Sequence, residues 1–232
     1  MPQLIFQHDD FYLFHKPHNL SFHQDGDVSG MCQLVNQLTN EALLPVHRLD
    51  RMTSGLVLFA RNKTAAAALS KGFAERTVKK CYLAISDKKP KKKQGLVKGD
   101  MAAGRRGDYK LLRAQDNPAI TRFESSSIDE GTRLYLLKPE TGKTHQLRVM
   151  MKSIGAPILG DNRYYPQTEQ SAPTTPTDRG YLHAWMLQFE FASQPWQFFC
   201  RPLAGQKFST ETSIQKIDSW QEQLAEANAR IF

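Results

Sequence analysis

Three short segments carry the residue types that could do chemistry. The first is His47-Arg48-Leu49-Asp50, followed by Thr53-Ser54-Gly55. Its carboxylate lies between two arginines, Arg48 and Arg51, and an ionised carboxylate is a competent covalent nucleophile. The second is Tyr82, which joins an aromatic face to a hydroxyl and so can both stack and move a proton. The third runs from Thr141 to Arg148 and carries Lys143, His145, Gln146, Leu147 and Arg148. Each alone has a plainer explanation. A carboxylate among arginines is commonly a surface ion pair or a cap, a strand tyrosine is commonly core, and a helix bearing His, Gln and Arg is commonly a solvated face.

The elements that must position these residues can be read from pattern. Residues 3–15 read as two short strands around a turn at His8-Asp9-Asp10. Residues 29–39 read as a helix with Leu34 and Leu38 on one side. PVHRLDRMTSG is a loop running into GLVLFARN, an apolar run with the length of a buried strand. Thr64 is placed as the cap of the helix TAAAALSKGFAERT. KKCYLAIS is a strand with Tyr82 inside it, and AITRFE and TRLYLLKP are two more. TGKTHQLRVMMKSIG is a helix started by Thr141 or Thr144 and stopped by Gly155. That start would leave backbone N–H groups at Thr141 to Thr144 free for a phosphate. Leu147 and Arg148, adjacent in its first turns, would face one pocket. WQFFCRPL is a late strand, residues 166–178 a surface loop, and residues 213–228 an amphipathic C-terminal helix. Many strands, with helices that do not alternate strictly, predict an α+β fold: a mostly antiparallel mixed sheet flanked by helices and loops. Without an internal repeat or a clean boundary, residues 1–232 read as one domain.

Bulk properties narrow the partners. The 232 residues hold 31 Lys and Arg against 23 Asp and Glu, a net charge of +8. That balance favours a polyanion. No apolar run reaches membrane-spanning length and no segment resembles a secretion signal, so the expectation is a cytoplasmic protein whose polyanion is nucleic acid rather than a membrane. Lysines 88, 89, 91, 92 and 93 lie in a Gly-containing stretch, residues 87–109, that reads as a mobile basic loop or hairpin touching phosphates. The odd, scattered set Cys32, Cys81 and Cys200 argues against a disulfide framework. The seven histidines fit no zinc spacing, so no metal is expected. His15, His18 and His23 read as loop or surface residues, and His47 and His145 as structural partners near a site.

The segments together resemble one family. HRLDRMTSGLVLFA is similar to the central signature of the RluA-type pseudouridine synthases. HKPHNLSFH, with Lys16-Pro17, resembles their opening segment, and KKCYLAIS their tyrosine strand. LLKPETGKTHQLRVMMKSIGAPILGDNRY resembles their third signature, and LHAWMLQF their late Leu-His-Ala. The likeness is collinear over about residues 10–203, and several motifs in the right order are far more specific than one.

The resemblance implies an isomerase that turns a uridine of structured RNA, tRNA or large-subunit rRNA, into its C-glycoside isomer. It implies no metal and no cofactor. Asp50 would be the nucleophile, Arg148 its basic partner, and Tyr82 the ring against a flipped-out base. Leu147 would pack on the base from the other side, and Arg48 would fill the gap the base leaves. Thr53, Lys143 and His47 would complete the substrate-binding set. The chain departs from the family where Lys143 replaces a frequent Arg and Met150 a frequent His. The small RNA-binding domain that many relatives carry in front is not expected here, and the enzyme is read as a monomer. A non-catalytic RNA binder would have little use for an apposed carboxylate that repels phosphate. A retaining hydrolase would need two carboxylates where the constellation holds one.

Overall fold

The computed structural model describes residues 1–166 and 177–229. The surface loop expected at 166–178 therefore lies almost wholly outside the described residues.

The N-terminal pair forms as its pattern predicts. β1 (Gln3–Gln7) and β2 (Phe11–Lys16) are antiparallel, and the turn closes with the His8 N–H donating to the Phe11 carbonyl at 2.9 Å. α1 (Met31–Thr39) follows, burying Met31 and Val35. Leu38 is exposed instead, because the helix rotates so that the stripe through Met31 and Val35 faces the sheet. After the short β3 (Leu44–Pro45), β4 (Ser54–Ala60) is buried at all seven positions, as a central strand covered on both faces should be. α2 (Lys63–Ala74) is capped by Asn62, whose side chain accepts from the Ala65 N–H, and not by Thr64. Asn62 is the residue with extended backbone, which a cap requires.

β5 (Lys79–Ser86) carries Tyr82. The basic stretch behind it is more ordered than its charge suggests. β6 (Gln94–Gly99) joins the sheet, and β7 (Met101–Ala103) with β8 (Tyr109–Leu111) forms a separate hairpin. A lysine-bearing strand is tolerated at a sheet edge, where one side faces solvent. The long β9 (Ala119–Asp129) and β10 (Thr132–Pro139) precede α3 (Gln146–Ser153); then come β11 (Leu182–Phe191), β12 (Gln194–Phe199) and α4 (Glu211–Ala229).

Among the described residues, ten strands form one sheet along the path β1-β2-β4-β11-β5-β10-β9-β6, with β12 on β11 and β3 on β4. The sheet is mixed but mostly antiparallel; β4 and β11 are the parallel pair. The fold is α+β, as expected. Gly55, with φ +111°, is required where those two strands meet, because a Cβ there would run into the backbone of Ala184.

Three clusters of buried side chains fill the core. One packs β5, β10 and β11 against Met150 and Met151 of α3 and Ile217 and Trp220 of α4. A second packs β2, β4, β11 and β12 against Ala65 and Leu69 of α2. The third holds Met31 and Val35 of α1 with Leu49. Tyr82 packs against the first and third at once, so it marks the seam between them. Among the described residues no helix is long and apolar enough to cross a membrane.

Candidate active site

Strand order brings the sequence motifs together. Cross-strand register places Gly55 of β4 opposite Ala184 of β11, Ala184 opposite Tyr82 of β5, and Tyr82 opposite Leu137 of β10. Opposed residues in paired strands share a face. The small Gly55 and Ala184 therefore leave room between the loop that carries Asp50 and the ring of Tyr82. A cleft of about 540 Å³ occupies this space, and Asp50, Tyr82, Arg148, Arg48, Leu147, Thr53 and Lys143 all line it.

The loop ahead of β4 is fixed from beneath. The Thr53 N–H donates to the Asp50 carbonyl at 3.0 Å, closing a turn at the aspartate. Lys16, fully buried at the end of β2, donates from Nζ to the carbonyls of Pro17, Arg51 and Thr53 at 3.0, 3.1 and 2.8 Å. One ammonium thus pins the backbone on the far side of Asp50. Burial pulls its pKa down to about 7; the Asp50 charge opposes this and Arg179 and Arg51 reinforce it.

Arg148 carries the electrostatics of the site. Its Nε and Nη2 each donate to Asp161 at 2.8 Å, and its Nη1 donates to Asp50 Oδ2 at 3.1 Å. Burial alone would lower its pKa, but hydrogen bonds and charge from Asp161, and then from Asp50, outweigh that and hold it above the ordinary value. Asp161 is fully buried and also accepts the N–H groups of Arg163 and Tyr164. A fork gripped on two sides cannot swing, so the third donor is aimed. The other oxygen of Asp50, Oδ1, makes no hydrogen bond with any described residue. Across the cleft, burial first, and then the charge of Asp50, push the Tyr82 hydroxyl far upward. It is a neutral phenol at any physiological pH.

α3 begins later than the sequence suggests. Its N-cap is His145, at φ +55°, and neither Thr141 nor Thr144 caps it. The reason is Gln146. Its side-chain oxygen accepts from Thr141 Oγ1 and from the Lys143 N–H, and its amide donates to the Ile120 carbonyl and Thr121 Oγ1. This weld consumes one of the backbone N–H groups expected to be free for phosphate. Gly155 does stand just past the helix end, at φ +80°.

His47 is not brought into the cleft. It stacks on Phe73 with ring centres 4.4 Å apart and accepts the Leu58 N–H, holding β4, while burial pushes its pKa down to about 3. His15 is buried on β2 rather than at the surface. His145 lines the cleft and meets Tyr164 Oη at 2.8 Å through Nδ1. Among the described residues, no group of three or more His, Cys, Asp and Glu could hold a metal ion.

Asp161, Lys16 and Gln146 complete the site, yet none of them is given a role by the sequence reading, although Gln146 stands in the third segment. Each lies inside a segment that carries the family likeness, Gly-Asp, Lys-Pro and Thr-His-Gln, and that was the available signal.

Comparison with known proteins gives the family. A family model described as RNA pseudouridylate synthase matches residues 10–153. A Haemophilus influenzae protein called an uncharacterized RNA pseudouridine synthase is 46% identical over 93% of this chain and 94% of its own length. The ribosomal large subunit pseudouridine synthase C of Rickettsia bellii is 36% identical over 69% of this chain, which spans 56% of that relative. Two human structures, RNA pseudouridylate synthase domain containing 4 and 1, share the fold. Their TM-scores are 0.69 and 0.71, at 24% and 23% identity, covering 86% and 87% of this chain and 88% and 84% of theirs. The scaffold is therefore that of a pseudouridylate synthase. The chain belongs to the RNA pseudouridylate synthase family, whose enzymes are isomerases.

Proposed function

We propose that this enzyme isomerises one specific uridine of a structured RNA, flipping it out of its stack and using Asp50 as the nucleophile. In the reaction the N1–C1′ bond breaks, the base turns, a C5–C1′ bond forms, C5 loses its proton and N1 gains one. Nothing is added or removed, so no oxidant or co-substrate is called for. Asp50 Oδ1 supplies the nucleophile that lets the base detach, while Arg148 holds Oδ2. Tyr82, kept neutral, stacks on the flipped base and has a hydroxyl to relay the C5 proton. Leu147 packs on the opposite face, and Arg48 enters the vacated stack, where a flat cation can both stack and hydrogen-bond. Thr53 and Lys143 flank the nucleotide.

The observation that carries this reading is the Arg148 fork. It is locked on buried Asp161 and points its remaining nitrogen at Asp50 inside a cleft walled by Tyr82 and Leu147. One sheet running from β1 to β12 supports a single catalytic domain over residues 1–232. The excess of basic residues supports an RNA substrate; the same reading has a monomer acting in the cytoplasm. Among RNAs, tRNA is favoured slightly over large-subunit rRNA, because recognition then rests on a short stem–loop with splayed bases.

The deciding experiment maps pseudouridines by carbodiimide sequencing in cells with and without the gene. One site should vanish in the deletion, return with wild type, and stay absent with Asp50→Asn, whose purified protein should still bind RNA. Pseudouridine formed by Asp50→Asn would overturn the role of Asp50.

A further inference from the structure

A second cavity, of about 1190 Å³, lies against α4 on the face of the sheet opposite Tyr82, and meets the cleft around the ends of β5 and β10, where Lys80 and Pro139 line both. Its floor is apolar, with Val78, Cys81, Met186 and Leu224. Its rim is basic, but not uniformly so. Arg122 is paired with Glu140 at 2.9 Å and Lys138 with Glu124 at 3.1 Å. Arg76, Lys79 and Lys80 have no carboxylate within ion-pair distance among the described residues.

Lys80 is the unusual member. It is half-buried, its Nζ sits 5.7 Å from the centre of the Phe73 ring, and burial, then the charge of Arg76, lowers its pKa. Taking a cation out of water without an anion is unfavourable, so such a group is stabilised when an anion arrives. Lys80 and Tyr82 are two residues apart on one strand. They project to the same side about 7 Å apart. A base lying on Tyr82 therefore brings its own sugar–phosphate within reach of Lys80.

We propose that Lys80 binds a backbone phosphate at the target uridine, and that the flanking single strand of the RNA passes it around the ends of β5 and β10 into this groove, along Lys79 and Arg76. The proposal rests on the reading of the Asp50 cleft as the uridine site. Phosphates meet the unpaired cations, and base faces meet the apolar floor, as in other tracks for single strands. Lys80 adds to the reaction through binding and positioning.

The test uses the full chain and [5-³H]uridine-labelled total RNA from cells lacking the gene, with tritium release as the readout. Lys80→Met, which keeps the apolar stem over Phe73, should raise the apparent KM roughly tenfold with kcat little changed. The slope of log(kcat/KM) against log salt should become shallower by about 0.7, the loss of one phosphate contact to a single strand. Lys80→Arg should restore both. The double variant Arg76→Gln/Lys79→Gln, at exposed positions that do not hold the fold, should shift KM and salt slope in the same direction. Lys216→Gln, an equal loss of charge on α4 outside both cavities, should change neither. An unchanged KM and slope in Lys80→Met and in the double variant overturns the groove. So does a loss confined to kcat, or a purification of the wild type with a peptide or a second copy bound there. If the wild type releases no tritium, the isomerase reading of the cleft has failed. The groove is then judged by filter binding of the same RNA, where equal affinity and salt slope for all variants would sink it.

Discussion

Two buried arginines hold the chain at the entrance to β4, Arg148 at Asp50 in the loop ahead of it and Arg179 at Ser54, its first residue, and they do opposite things. Arg148 and Arg179 are exposed by only 8% and 4%, so burial does not distinguish them. Their partners do. Arg148 grips Asp161 with two nitrogens and Asp50 with a third, and its charge is held above the ordinary pKa. Arg179 donates to the carbonyls of Gly180, Leu182 and Ala204 and to Ser54 Oγ, and to no carboxylate that the described contacts include. Burial prevails there, with Tyr181 and Asp178 only partly opposing it, and its pKa falls to about 10. Beyond Ser54 the second network continues into the core. Ser54 Oγ meets His183 Nδ1 at 2.7 Å, and His183 Nε2 meets the Cys200 carbonyl at 2.7 Å. The carbonyl can only accept, so the His183 proton is on Nε2 and Ser54 donates to Nδ1. One network ends on an aspartate in a cleft, the other on a backbone carbonyl in the core. A buried cation becomes part of a site when its carboxylates leave one donor directed at open space, and becomes a brace when every donor is spent on the fold.

The largest effect separating the two should come from Arg148→Lys and Asp161→Asn. An ammonium cannot hold Asp161 with two donors and Asp50 with a third. Asp161→Asn also breaks a buried ion pair, at about 3 kcal/mol of stability. Turnover should fall at least about 100-fold in the protein that remains folded, since even a 1 Å misplacement of a reacting group costs that much. Tritium-release kinetics with a parallel urea titration would check this. Turnover within a few-fold of wild type for Asp161→Asn would mean that the fork does not aim Arg148.

Lys16→Met comes next. It leaves the carbonyls of Pro17, Arg51 and Thr53 without their donor, destabilising by about 2 kcal/mol. Asp50 itself keeps its partner, so kcat should drop roughly 10- to 100-fold while KM is nearly constant. A KM effect with kcat intact would place Lys16 in binding instead of in fixing the Asp50 loop.

Arg179→Met should show the contrast most plainly. It should cost about 2 kcal/mol in a denaturant titration, because the lost hydrogen bonds are partly offset by relief of a buried charge. Yet kcat below the unfolding transition should match wild type. If kcat falls as far as in Arg148→Lys, the second network belongs to the catalytic machinery and the division drawn above is wrong.

What the sequence made legible follows the same division. Arg48, Asp50, Thr53, Tyr82, Lys143, Leu147 and Arg148 were singled out from local motifs, and the fold gathers all seven around one cleft. The α+β class and most strands were readable too, because GLVLFA and TRLYLL are apolar runs of strand length. Harder to read was anything decided by distant partners. His47 precedes Arg48 in the motif, but Arg48 is exposed at the cleft while His47 turns inward onto Phe73. Asp161 acquires its role from a partner 13 positions away, and Lys16 from carbonyls up to 37 away. Thr141 and Thr144 have the chemistry of caps, and only Gln146 reaching back to β9 moves the helix start to His145. Within residues 87–109, read as a basic loop or hairpin, the hairpin of β7 and β8 forms, and β6 adds a strand at the sheet edge that the charge pattern does not announce.

The smallest effect is one of pH, and it falls on the brace. Burial, the dominant cause, pushes the pKa of His183 down to about 3; its hydrogen bond to Cys200 opposes this, and Arg179 and His15 add to it. Unfolded, the ring titrates near 6.5. Between those values the unfolded chain binds the extra proton, so stability is full above about pH 6.5 and declines as pH falls toward 3. At pH 5 the loss attributable to this ring is at most about 2 kcal/mol, from 1.36 kcal/mol per pH unit. His15, lowered to about 4 mainly by burial and next by Arg179, adds a decline of the same sign. His183→Gln keeps an amide donor for Cys200 and an acceptor for Ser54 but cannot take up a proton. Its urea midpoint should therefore fall less than that of wild type between pH 7 and pH 5. Equal losses in the two proteins would show that the acid sensitivity lies elsewhere, and that the network around Arg179 is insensitive to the charge its own burial makes unfavourable.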